Sequence, residues 1–243
     1  MLRLQLPLES RGENPEGLIF NFLADSPFDP NARVMTGHDN GIITLALVEA
    51  DDVERERRRS LMGEPYRTLL GHFRHEVGHY FWDRLVRDRN LTDGFAAVFG
   101  DHTINYEEAL QRYYAQGAPP DWQNHFVSAY ATSHPWEDFA ETWAHYLHIV
   151  DTLEMADAFG LQVAPKVART DDLDARIDFD PYTQETVEPL LEAWLPLTFA
   201  VNSLNRCMGS ADLYPFVLSP PAMEKLGFIH RLIREVRRNP ASP

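Results

Sequence analysis

The chain has 243 residues, 44% of them hydrophobic, with 37 acidic against 22 basic side chains and a formal net charge of −15. That length and apolar content support a sizeable buried core, and the negative balance excludes nonspecific nucleic-acid binding, which needs basic surface. No run approaches the length of a membrane span, residues 2–8 are too short and charged for a signal peptide, and the lone Cys207 cannot form an intramolecular disulfide; a cytoplasmic protein with no membrane and no nucleic-acid partner is expected.

In chain order, residues 18–23 read as a strand, and Asp39-Asn40-Gly41 is a hairpin-turn sequence between 33–36 and 42–47. From residue 52 onward the periodicity is helical: a charged segment 52–61, then 65–82, 105–116, 121–131, 135–159, 184–208 and 220–237. The expected fold class is α+β, mostly α, in a single domain. Residues 1–50 supply a small N-terminal sheet, 51–160 a helical centre and 161–243 a helical C-terminal part. The acidic run 171–180 lacks the glycine turn and terminal Glu of a calcium-binding loop and reads as an exposed loop. The long C-terminal helices suit packing within the monomer or docking of a protein partner.

The helix over 65–82 contains His75-Glu76-Val77-Gly78-His79. Spacing of i, i+4 puts both imidazoles on one helix face, able to grip a single ion, with Glu76 beside them to take a proton from water. Tyr66, Leu69, Leu70, Phe73, Val77, Tyr80, Phe81 and Leu85 recur at helical spacing and anchor this helix in a core, while Gly78 lets another element approach the metal-facing side. A catalytic zinc ion needs a third protein ligand. The segment from Ser133 to His148 offers Glu137 and Glu141, again at i, i+4, in a helix that Pro135 is placed to open. One carboxylate can bind the ion while the other fixes the tautomer of a ligand histidine; that pairing favours Glu137 over His134. His72, His145 and His148 lie near these faces and are expected to be structural.

Together, the His-Glu-Val-Gly-His helix and Glu137-Asp138-Phe139-Ala140-Glu141 resemble the gluzincin metallopeptidases, and the chain from about Leu18 to Gly160 is similar to a bacterial family of zinc-binding metallopeptidases. The resemblance implies one catalytic Zn²⁺ held by His75, His79 and Glu137, with Glu76 as general base, Glu141 hydrogen-bonded to His75, and Tyr130, seven positions before Glu137, stabilising the oxyanion. It also implies a zincin-like fold in which an edge strand holds an extended peptide, for which the hairpin containing 42–47 is the candidate. Two departures stand out. The four-cysteine zinc ribbon found in many members cannot be built from one cysteine, and His102 and Asn105 stand where acids are expected. The expected function is a zinc-dependent endopeptidase acting on a peptide or protein substrate. Alternatives are a zinc amidohydrolase acting on a non-standard amide or cell-wall peptide, and a non-catalytic zincin scaffold for partner binding.

Overall fold

The computed structural model describes residues 2–26, 28–29, 33–51, 53, 68–166 and 173–238; apart from Val53, the expected helix over 52–61 lies outside them, as do residues 65–67 and the start of the acidic run. Strands β1 (Ile19–Leu23), β2 (Gly37–Asp39) and β3 (Ile42–Ala46) form a sheet of order β1-β3-β2. β2 and β3 are antiparallel, with Asp39 opposite Ile42. They are joined through Asn40 and Gly41 at φ 46° and 83°, the positive values that a tight two-residue hairpin turn requires. A side chain at Gly41 would place its Cβ 2.2 Å from the carbonyl oxygen of Glu16, so glycine is demanded twice over. β1 lies parallel to β3, Ile19 beside Ile42. Two expectations are corrected here. Residues 33–36 are not a strand, and 42–46 form the middle strand, paired on both sides; among the described residues the edge of the hairpin is β2.

The helices are α1 (Leu69–Trp82), α2 (Thr92–Phe99), α3 (Tyr106–Gln116), α4 (Pro135–Ala158), α5 (Glu188–Cys207) and α6 (Pro220–Arg238); β4 (Gln162–Val163) and β5 (Ala175–Arg176) form a separate antiparallel pair. The fold class is thus α+β, mostly α. Thr68 caps α1, its hydroxyl accepting from the Gly71 amide at 2.9 Å. Residues 121–131 depart from expectation, forming only short 3₁₀ turns at Trp122–Asn124 and Tyr130–Thr132. The Ser128 hydroxyl accepts from the Ala131 amide at 3.1 Å, a local bond that competes with helix. Helix α2 was not anticipated; Phe95 and Phe99, one turn apart, bury against Phe139 and Phe228.

The long helix α4 runs through the core, burying Phe139, Trp143, Val150 and Leu153 completely. Its first half lies against α1, where Phe81 stacks on Trp143 with ring centroids 4.9 Å apart. At Gly78 the two backbones nearly touch: an added Cβ would lie 3.0 Å from Ala140 Cα and 3.1 Å from Trp143 Cβ. The helices run antiparallel, since Gly71, a full two turns earlier in α1, faces His148. Behind α4, α6 is tied in by a buried ion pair, Lys225 Nζ to Asp138 at 2.6 Å. The same ammonium donates to the His125 carbonyl at 2.9 Å and lies 4.0 Å above the Phe126 ring. Among the described residues no helix is long and apolar enough to cross a membrane.

Gly78→Ala should destabilise the fold by about 1–3 kcal/mol through overpacking, more than the ~1 kcal/mol that replacing a helical glycine returns. A lowered urea midpoint with an unchanged slope is the expected result.

Candidate metal centre

Helices α1 and α4 each present one charged stripe to the same space. From α1 come His75, Glu76 and His79, all buried; from α4 come Glu137, buried, and Glu141, half-buried. His75 Nε2 lies 3.1 Å from His79 Nε2 and 3.0 Å from Glu137 Oε2, and His79 Nε2 lies 3.5 Å from the same oxygen. Tetrahedral zinc with bonds of ~2.0–2.1 Å sets its ligand atoms about 3.3 Å apart. The three atoms therefore already stand near the corners such an ion would need, and they form a group suited to a metal ion.

Hydrogen bonds select those atoms. The Nδ1–H of His75 donates to Glu141 Oε1 at 2.7 Å, which leaves the Nε2 lone pair facing His79. Glu141 Oε2 accepts from the Ser128 hydroxyl at 2.6 Å. The Tyr106 hydroxyl donates to Glu137 Oε1 at 2.5 Å, while Glu137 Oε2 is buried with no hydrogen-bond donor among the described residues. His79 is held by stacking on Trp136, with ring centroids 3.6 Å apart. Two lone pairs and a carboxylate oxygen pointed at one another in a buried space repel, and a divalent cation is the natural remedy. The proton equilibria carry the same message. Burial depresses the His75 pKa, but Glu137 and Glu141 outweigh it and hold the imidazole well above its usual value. Burial raises Glu137, and the two imidazoles pull it well below the carboxylate range. The cluster as folded calls for positive charge, and the donor set of two imidazoles and one carboxylate matches catalytic zinc.

Glu76 sits one residue from His75 with its oxygen Oε1 3.3 Å from His72 Nε2. Burial raises its pKa, but His72 and the neighbouring imidazoles lower it further, so it stays ionised at neutral pH. Tyr130 lies on the turn before α4, its ring centroid 6.0 Å from that of His75 and 5.7 Å from that of Tyr113. Burial and the nearby Glu137 push its phenol far above the usual value, so it stays protonated.

These groups line a cleft of about 650 Å³. Its walls include β2 residues Gly37 and His38, the aromatic side chains of Tyr113 and Trp122, and Pro215–Val217 from the connection between α5 and α6. That connection is pinned: the Asn202 amide bonds both the carbonyl and the N–H of Tyr214, at 2.8 and 3.1 Å, and the Tyr214 hydroxyl meets His145 Nδ1 at 2.7 Å. Phe216 packs edge-on against His145 at 4.4 Å.

The histidines weighed from sequence now have places. His134 caps α4, its Nδ1 accepting from the Trp136 amide at 3.0 Å, so it turns away from the ligand group. His145 and His148 line the cleft but bond to Tyr214 and Arg74. His102, half-buried on the turn between α2 and α3, packs its ring against Trp82 and Phe95, and Asn105 caps α3. Sequence patterns gave no sign of Tyr106 or Ser128. Glu49, which meets His72 Nδ1 at 2.6 Å, left one faint signal, an acid closing an otherwise apolar run.

The fold and the two-helix His-His-Glu group thus define a candidate zinc centre of the metallopeptidase type. The chain belongs to the family described as "Putative zinc-binding metallo-peptidase", whose profile matches residues 1–232. It is 47% identical over 235 residues to the uncharacterized protein Rv2568c of Mycobacterium tuberculosis and to the uncharacterized protein Mb2598c of Mycobacterium bovis. Those alignments cover 96% of this chain and 65% of each relative, so the chain spans less than two thirds of their length. No solved structure matches.

Glu141→Gln should weaken zinc binding about 10- to 100-fold by replacing the charged acceptor of the His75 Nδ1–H with a neutral amide, and Glu137→Gln should weaken it further. Chelator competition measures both.

Proposed function

We propose that this protein is a zinc-dependent endopeptidase in which His75, His79 and Glu137 hold the ion, Glu76 is the general base, and Tyr130 serves the oxyanion. The observation that carries this reading is the convergence of three ligand atoms 3.0–3.5 Å apart beside an ionised carboxylate in an open cleft. Zinc, when bound, supplies Lewis-acid polarisation of the scissile carbonyl and of the attacking water.

The remaining work falls to side chains. Glu76 takes a proton from the attacking water as the bond to the carbonyl carbon forms, then delivers that proton to the leaving amine as the C–N bond breaks. Tyr130, held in its protonated form, donates to the oxygen on which charge develops. Tyr106 occupies one oxygen of Glu137 and keeps the other for the ion. Glu141 and Ser128 hold the His75 ring. Substrate backbone has a place to pair at β2, the edge strand among the described residues, which borders the cleft through Gly37 and His38.

The test is cleavage of a diverse peptide library by the zinc-loaded protein, read by mass spectrometry, beside Glu76→Gln and Tyr130→Phe. The parent should cut. Glu76→Gln should retain zinc and lose about 10²–10⁴-fold in turnover, and Tyr130→Phe should lose about 10²–10³-fold in kcat with KM little changed. A zinc-loaded parent that cuts no peptide refutes the reading and leaves a non-peptide amide or a binding role.

A further inference from the structure

Glu49 is among the most deeply buried acids of the described residues, 2% exposed, and the scheme above gives it no task. It lies on the short turn Leu47–Ala50 that follows β3. Both of its oxygens are engaged. Oε1 accepts from the Thr36 hydroxyl at 2.9 Å, and Oε2 meets His72 Nδ1 at 2.6 Å. The other nitrogen of that ring, Nε2, stands 3.3 Å from Glu76 Oε1. Thr36 is fixed in turn, its hydroxyl accepting from the Ala46 amide at 3.0 Å. A continuous chain therefore runs from the backbone of β3 through Thr36, Glu49 and His72 to the carboxylate assigned as base, and all four side chains border the cleft.

Mutual satisfaction of two buried polar groups would explain the 2.6 Å contact alone. It does not explain why a carboxylate is buried there, since an apolar pair would join sheet to helix without the cost of removing charge from water. A carboxylate on Nδ1 does what an apolar contact cannot: it fixes the ring's rotation and, with Glu76 at the other nitrogen, favours the imidazolium, whose Nε2–H points at Glu76 Oε1. His72 lies one turn before Glu76 on α1, where an i, i+4 partner is within reach. The ring alone could swing about its χ angles; the sheet-borne Glu49 removes that freedom.

We propose that Glu49 and His72 are positioning residues for Glu76: Glu49 sets the His72 ring, and the ring holds one oxygen of Glu76, leaving the other for proton transfer. The inference rests on Glu76 being the general base. It also ties the base to the hairpin, because Thr36 lies directly before β2, so a peptide seated on that edge acts on the same chain of polar contacts that reaches Glu76.

The experiment compares the zinc-loaded parent with His72→Phe, His72→Gln and Glu49→Gln on the best-cleaved library peptide. His72→Phe should lower kcat about 10- to 100-fold with KM and zinc content unchanged, and Glu49→Gln should lower it less. His72→Gln, whose side-chain amide still donates, should recover part of the loss. Unchanged kcat in His72→Phe, equal losses in the Phe and Gln variants, or a loss matched by loss of zinc would each overturn the proposal. Imidazole proton and nitrogen spectra give a readout independent of turnover. The parent should show a strongly deshielded His72 Nδ1–H that moves upfield in Glu49→Gln, and an Nε2 signal that shifts in Glu76→Gln. Signals unmoved by either substitution overturn the arrangement itself; a parent that cleaves nothing yet shows both shifts places the fault with the peptidase reading instead.

Discussion

The contact of α1 with α4 at Gly78 and Ala140 sets the scale of the site. Helices usually pack with axes 8–10 Å apart, the spacing being decided by the side chains between them. Here one of those side chains is absent, and a Cβ at Gly78 would stand 3.0 Å from the Ala140 backbone. The three groups suited to hold an ion lie one residue or one turn from that point, at His75, His79 and Glu137. A metal site tolerates errors of about 0.2 Å in its bond lengths, so even a few tenths of an ångström added at Gly78 would be felt at the 3.0 and 3.5 Å separations between imidazole and carboxylate. Helix packing and metal geometry are, at this position, one requirement.

Charge balance is the second constraint. Glu49, Glu76, Glu137 and Glu141 all face one cleft, and burial disfavours the ionised form of each. The structure answers with imidazoles placed between carboxylates. His75 lies between Glu137 and Glu141, and His72 between Glu49 and Glu76. Glu141 illustrates the outcome: burial raises its pKa, yet the His75 bond and charge bring it down to about 2. The repeated acid–imidazole–acid pattern leaves one place that calls for positive charge, between the two Nε2 atoms and Glu137 Oε2. That place has the geometry of an ion.

Much of this was legible in the sequence wherever the chemistry is local. The i, i+4 histidines and the i, i+4 glutamates announce two helical faces because helix periodicity alone places them. Pro135 marks the start of α4, and Asn40-Gly41 marks the hairpin turn, because each residue type fits a narrow backbone geometry. What stayed hidden depends on contacts between distant segments. The pairing of β1 alongside β3, which makes 42–46 the middle strand, carries no turn signature. Tyr106 reaches Glu137 across 31 positions, and Glu49 reaches His72 across 23. Residues 121–131 look helical by composition but lack an apolar stripe: only Val127, Ser128 and Ala131 turn fully inward, and Ser128 is spent on Glu141 and on its own turn.

The pinned connection between α5 and α6 bears on how this chain can be divided. Asn202 holds Tyr214 by both backbone groups, Tyr214 reaches His145, and Phe216 covers the same imidazole, which lies one turn beyond Glu141 on α4. The motif helices and the C-terminal third thus share a single wall. A fragment ending near Gly160 would carry the whole ligand set, yet it would bare one flank of the cleft and strip α4 of its cover from α5 and α6. Grafting the two motif helices onto another scaffold would meet the same obstacle. The portable unit is the entire layered arrangement, in which Pro215–Val217 bring the C-terminal third to the wall of the cleft.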